Sequence, residues 1–154
     1  MVETANLFRE TYSRLEYALK QSGYLQKKTR ADADWKAYAS DLGDDFYASI
    51  RDSGKATALI EKPPKKLMND HGVAVFEAVY PARLADTQDL LIRGAGMVRN
   101  NFYHGDKFVG SNEDQARDLV LITESLSVLS RAIDESSKSQ IARCRRVAEI
   151  FDAR

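Results

Sequence analysis

Apolar side chains return every three or four positions through most of this chain. From Thr4 to Gly23 they fall at Leu7, Phe8, Tyr12, Leu15 and Leu19, the spacing of one buried helix face. Thr4 can cap the start and Gly23 can end it. The segment "ADADWKAYASDLGDDFYASIRDSG" repeats the pattern at Trp35, Tyr38, Leu42, Phe46 and Ile50. It predicts a second helix, capped by Asp32 or Asp34, weakened in its middle by Gly43 and closed by Gly54. A third helix is expected from "ADTQDLLIRGAGMVRNNFYHG", with Leu90, Leu91, Gly94, Met97 and Val98 on its apolar side and Gly105 at its end. Gly94 and Gly96 lie inside it, where glycine costs stability, and they point to a close helix contact. "NEDQARDLVLITESLSVLSRAIDE" predicts a strong helix capped by Asn112, with Leu119, Ile122, Leu126, Leu129 and Ile133 inward. A last helix is expected from about Ser137, its stripe formed by Ile141, Cys144, Val147, Ala148 and Phe151.

Between the second and third helices the pattern is irregular. Pro63-Pro64 and Pro81 stop any helix and favour an extended path. "VAVFEAVY" reads equally as a short strand or a buried helical turn. His71, in "NDHGV", reads as a turn residue beside Gly72. No repeat, low-complexity tract or linker interrupts the chain. The fold class expected is all-α: a bundle of about four to five main helices with an irregular, proline-rich middle, residues 1–154 forming a single domain.

Composition narrows the function classes. Of 154 residues, 44% are hydrophobic and 30% charged, the balance of an ordinary globular chain. Lysines and arginines number 23, as do aspartates and glutamates. No strong overall field exists to hold a polyanion, so a nucleic acid would need a local patch. A single cysteine, Cys144, rules out an intrachain disulfide and is compatible with a cytoplasmic location. It lies among Arg143, Arg145 and Arg146, but a lone helical cysteine is expected to be a small buried apolar residue. Neither a signal peptide nor a membrane span is expected. His71 and His104 have no cysteine or acid partners at metal spacing, so neither a metal site nor a cofactor is anticipated.

The chemistry concentrates in "RNNFYHG". On a helix Asn100 and His104 share a face. Arg99 and His104 are separated by about 140° and roughly 7.5 Å along the axis. The helix end at Gly105 and the long arginine stem let both reach one pocket. A histidine can take a proton from a ribose 2′-hydroxyl or give one to a leaving oxygen. An arginine can grip the scissile phosphate with its fork of donors. The plainer alternative is a histidine favoured by the helix dipole, followed by an ordinary glycine stop.

Arg99, Asn100 and His104, with three residues between the last two, resemble the signature of the HEPN superfamily. These are all-α domains named for higher eukaryote and prokaryote nucleotide binding. "SRLEYALKQSGY", "ADADWKAYASDL", "EKPPKKL" and "RNNFYHGDK" are similar to a bacterial, plasmid- and chromosome-borne branch, so the resemblance spans nearly the whole chain. It implies a homodimer whose motif helices face each other and share one cleft. It further implies a metal-independent endoribonuclease cleaving single-stranded RNA by internal 2′-hydroxyl attack, in a toxin–antitoxin or antiphage setting. Arg99 would hold the phosphate, His104 would act as acid or base, and Asn100 would orient or polarise. Asn101, Tyr103 and Lys107 are expected to touch the substrate. Some members are inactive, which leaves a second reading: a dimer that binds nucleotide, RNA or a partner protein. A third reading gives the chain no nucleic-acid role. In toxins silenced by a minimal nucleotidyltransferase antitoxin, a tyrosine sits two residues after the histidine; this chain has Asp106 there, so any antitoxin or regulator is unidentified.

Three further features carry expectations. "EKPPKKL" gathers Lys62, Lys65 and Lys66 in what reads as a solvated loop, with RNA backbone contact as the alternative. Lys138, Arg145 and Arg146 read as a solvated helix face. Glu16 is expected to pair with Lys20, or to reach the motif.

Overall fold

The computed structural model describes residues 2–103 and 112–153. The first stripe folds as α1 (Val2–Gln21), burying Phe8, Tyr12, Leu15 and Leu19 with Thr11 and Ala18. Helix geometry begins two residues before Thr4, which therefore caps nothing, and Leu7 falls off the buried face. The expected second helix is two. α2 (Trp35–Leu42) and α3 (Asp44–Ser53) meet at Gly43, whose φ of 80° and ψ of 167° suit glycine and strain other residues. Asp34 caps α2, accepting from the Ala37 amide at 3.0 Å. Asp32 instead lies 3.8 Å from Lys28 and 3.4 Å from Arg30. Both short helices still turn Tyr38, Phe46 and Ile50 inward.

α4 (Thr57–Glu61) is too short to stand alone. The Glu124 carboxylate accepts the Leu59 amide at 2.8 Å, satisfying a donor of its first turn. Beyond it, β1 (Leu67–Asp70) pairs antiparallel with β2 (Val73–Phe76), from Leu67 opposite Phe76 to Asp70 opposite Val73. "VAVF" is thus a strand, and an exposed one. His71 and Gly72 form its two-residue turn at φ 52° and 86°, both positive as such a turn requires.

The third stripe runs unbroken from residue 87 to 103, but not as one regular helix. Asp86 caps α5 (Thr87–Asp89), accepting from the Asp89 amide at 2.8 Å. A π-helical stretch comes next (Leu90–Gly96), then α6 (Met97–Tyr103). The two glycines answer to separate crowding. A Cβ on Gly94 would stand 3.1 Å from Leu84 Cδ1 and 3.4 Å from Leu59 Cδ2. On Gly96 it would stand 3.0 Å from the Leu91 carbonyl oxygen and 3.7 Å from the Tyr12 hydroxyl.

α7 (Asn112–Ser137) is the axis of the fold, packing on α1, α8 (Ala142–Asp152), α4 and the π-helical stretch. Ser137 ends α7 instead of opening the last helix, and Ile141 is exposed. Cys144, Val147 and Ala148 are buried as expected. The Tyr38 hydroxyl donates to the Ala132 carbonyl at 3.2 Å and shares a 2.6 Å hydrogen bond with Ser136. Cys144 Sγ lies 3.7 Å from that same Ser136 hydroxyl. One buried polar knot therefore joins α2, α7 and α8, and one continuous apolar core surrounds it. Among the described residues no helix is long and apolar enough to cross a membrane.

Gly96→Ala tests the π-helical stretch. Helix propensity alone favours alanine by about 1 kcal/mol. Crowding against a backbone carbonyl that has no rotamer to yield should reverse the sign, for a net loss of about 1–3 kcal/mol. A lowered urea midpoint is the expected result; an unchanged or raised midpoint would mean that the stretch accommodates a Cβ.

Candidate functional site

α6 carries the described part of the sequence motif. Its residues divide by face. Val98 and Asn101 are buried and Phe102 is partly buried, whereas Asn100 is exposed and Arg99 half-buried. Arg99 turns toward α1. Its guanidinium carbon lies 5.4 Å from the Tyr12 ring centroid, within cation–π range. Its Nη1 donates to the Asn100 side-chain oxygen at 3.3 Å. The adjacent asparagine thus accepts from the arginine fork on the exposed side of α6.

Tyr12 is a rigid platform. Its ring stacks on Trp35 at 5.0 Å and meets Phe8 edge-on at 6.2 Å. Burial pushes its hydroxyl pKa far above the usual tyrosine range; the Glu16 carboxylate adds to that rise and the Arg99 cation opposes it. Glu16 and Arg99 therefore act on the same ring from α1 and α6.

Asn101 turns inward. Its side-chain amide donates to the Lys65 carbonyl at 3.1 Å, so it ties the proline-rich segment to α6. It also lines a cleft between α6, α7 and the hairpin. Tyr103 closes α6. His104 and Lys107, with Gly105 and Asp106, lie outside the described residues. The structure thus brings Arg99 and Asn100 together on an aromatic base and gives Asn101 a binding partner in the backbone.

The C-terminal basic run lies on an exposed helix face, as its sequence reads, and several of its cations pair within the chain. Arg143 Nε lies 2.7 Å from Asp41 Oδ2, and the guanidinium covers the Tyr24 ring at 4.4 Å. Lys138 pairs with Asp134 at 3.1 Å, and Arg145 donates to the Ser139 carbonyl at 2.9 Å. His71 sits 2.8 Å from Asp70 with its side chain almost fully exposed, an ordinary turn contact. Among the described residues no three or more His, Cys, Asp or Glu side chains form a metal-holding group.

Comparison of the chain with protein-family models, with curated proteins and with solved structures finds no match in any of the three. The site is therefore read from its own geometry. Tyr12 is the neighbour of Arg99 that its sequence spacing left in the core stripe, because it is 87 positions away.

Tyr12, Tyr24 and Tyr38 all have hydroxyls raised above the usual tyrosine value, burial being the largest cause in each. An unfolded tyrosine ionises near 10. The folded state therefore keeps these protons where the unfolded state releases them, and stability falls as pH rises above about 10. Ultraviolet titration should show Tyr12, Tyr24 and Tyr38 silent until the chain unfolds. Arg99→Ala should move Tyr12 further up. Ionisation of these three hydroxyls near 10 in folded protein would contradict the burial.

Proposed function

We propose that the chain is a metal-independent endoribonuclease of the HEPN type, acting as a homodimer in which two α6 helices build one cleft. The observation that supports it most is the Arg99 fork, braced by Asn100 and resting on Tyr12 at 5.4 Å. An arginine meant to receive a phosphate gains from an aromatic base. The ring supports the cation from behind and, being uncharged, does not neutralise it.

The reaction is set by the residue types. His104 takes the proton of a ribose 2′-hydroxyl, and the oxygen attacks the adjacent phosphorus. The P–O5′ bond breaks, and the leaving oxygen receives a proton from the histidine of the partner subunit or from water. One product carries a 2′,3′-cyclic phosphate and the other a free 5′-hydroxyl. Arg99 holds the phosphate and stabilises charge that grows on its oxygens. Removing a preorganised donor of this kind costs on the order of 100–1,000-fold in rate.

The test is cleavage of a mixed single-stranded RNA in EDTA. Native protein should cut it and leave cyclic phosphate ends. Arg99→Ala should lose on the order of a hundredfold or more, and His104→Ala should be inactive. Intact RNA with the native protein, or equal cutting by His104→Ala, would remove the catalytic roles and leave the nucleotide-binding reading.

A further inference from the structure

A second cationic feature lies off the motif. Tyr80, beyond the hairpin, is 38% exposed. Lys62 Nζ stands 4.7 Å from its ring centroid, Lys65 Nζ 4.5 Å and the Arg117 guanidinium 5.2 Å. Three cations around one ring are therefore no farther apart than about 10 Å, one Debye length at 0.1 M salt. Like charges held that close repel, and something must hold them there. Arg117 is anchored on the Lys62 carbonyl at 2.5 Å, and Lys65 reaches the Ala78 carbonyl at 3.4 Å. Pro63 and Pro64 are buried beneath them, and Asn101 of α6 grips the Lys65 carbonyl. The segment is a loop with Lys62 and Lys66 exposed to solvent, as its sequence reads, and its buried prolines hold the cationic rim in place.

Behind this rim is the cleft that Asn101 lines, about 190 Å³ in volume. That is below the roughly 300–1,000 Å³ of pockets for drug-sized ligands, and it suits a single flat ring system. Its apolar walls are Phe76, Phe102, Val98 and Leu121, with Tyr80 among the lining residues. Asp118 and Asn101 are the polar residues of the same wall, the Asn101 amide nitrogen being given to the Lys65 carbonyl. Aromatic surface inside and positive charge at the mouth are the two parts of a single-strand nucleic-acid site.

We propose that this cleft takes one unstacked nucleobase of a single-stranded RNA, while Lys62, Lys65 and Arg117 hold the phosphates beside it. The inference rests on the ribonuclease reading and adds a substrate subsite to it. Both features stand on α6: Val98, Asn101 and Phe102 face the cleft, and Arg99 faces Tyr12. A strand seated at Tyr80 would run along the helix that carries the catalytic arginine. An acidic peptide would satisfy the cations but has no use for the flat apolar cavity.

The test is fluorescence anisotropy with a labelled 2′-O-methyl RNA hexamer, which cannot undergo 2′-hydroxyl attack. Tyr80→Ala should weaken binding about tenfold or more, while Tyr80→Phe, which keeps the ring, stays near native. The double variant Lys62→Glu, Lys65→Glu should weaken binding and flatten its salt dependence. Inorganic polyphosphate, which has no bases, should lose much less affinity than RNA does in Tyr80→Ala, and an equal loss for both would overturn the base subsite. Circular dichroism confirms that each variant is folded. Native-like RNA binding by Tyr80→Ala, no RNA binding by the native protein, or tighter binding of polyglutamate than of RNA would each overturn the subsite. The two readings separate cleanly. If the native protein cleaves RNA and Tyr80→Ala does so with unchanged KM, the subsite alone falls. If RNA binds through Tyr80 and is never cut, the catalytic reading falls and the subsite stands.

Discussion

The close approach at Gly94 and Gly96 sets the geometry of the whole site on α6. Leu59 and Leu84 press on the first glycine, and Tyr12 with the Leu91 carbonyl stand over the second. A regular helix would carry its register straight through. A π-helical stretch holds one more residue per turn, so the residues after it are rotated by about 100°. That rotation decides which residues of α6 meet α1 and which meet the cleft. With it, Arg99 rests on Tyr12 while Val98, Asn101 and Phe102 face the hairpin side. Undo it, and an apolar residue would sit on the tyrosine while the arginine faced another wall. The crowding that makes glycine necessary thus also aims the arginine.

Rigidity beneath the site comes from the α1–α2 aromatic stack. Tyr12, Trp35, Tyr38 and Tyr24 form a chain of ring contacts from 5.0 to 6.3 Å. Its far end is pinned by hydrogen bonds, Tyr24 to Asp41 at 2.7 Å and Tyr38 to Ser136 at 2.6 Å. Rings that interlock in this way lose little further freedom when a ligand binds, because packing has already fixed them. A cation resting on the near end is accordingly held on a stiff base.

Helix positions were legible because amphipathic periodicity is a local property. Tyr38, Phe46, Ile50, Ile122, Leu129 and Val147 face inward as their spacing requires. The break at Gly43 was only half legible: one glycine inside a periodic stripe costs stability without saying whether the chain bends. The π-helical stretch left no mark at all, since Leu90, Leu91 and Gly94 fit a regular helix equally well. "KPPKK" was half legible. It is a loop with Lys62 and Lys66 exposed, but the burial of its prolines and the Asn101 bond from 36 residues away belong to the fold and not to its composition. Arg99 and Asn100 were recognisable as neighbours in sequence. Tyr12 and Tyr80, which give the two cationic features their aromatic surfaces, reach them only through the fold.

Charge neutrality is no obstacle to a polyanion when acids are engaged elsewhere. The chain has as many acidic as basic side chains, yet the two are not mixed evenly. Asp41 is drawn to Arg143, Asp134 and Glu135 to Lys138, Glu61 to Arg83, and Asp89 to Arg93. Exposed pairs of this kind add little stability, about 0–1 kcal/mol each. Their larger consequence is electrostatic, because each cancels its own field within a Debye length. Other cations also lie against rings: Lys62, Lys65 and Arg117 at Tyr80, and Arg99 at Tyr12, with Glu124 in the field of Arg117 and Glu16 acting on the same Tyr12. An aromatic ring attracts a cation through its quadrupole, which falls off faster with distance than a charge does. A ring therefore positions a cation without cancelling its field at longer range.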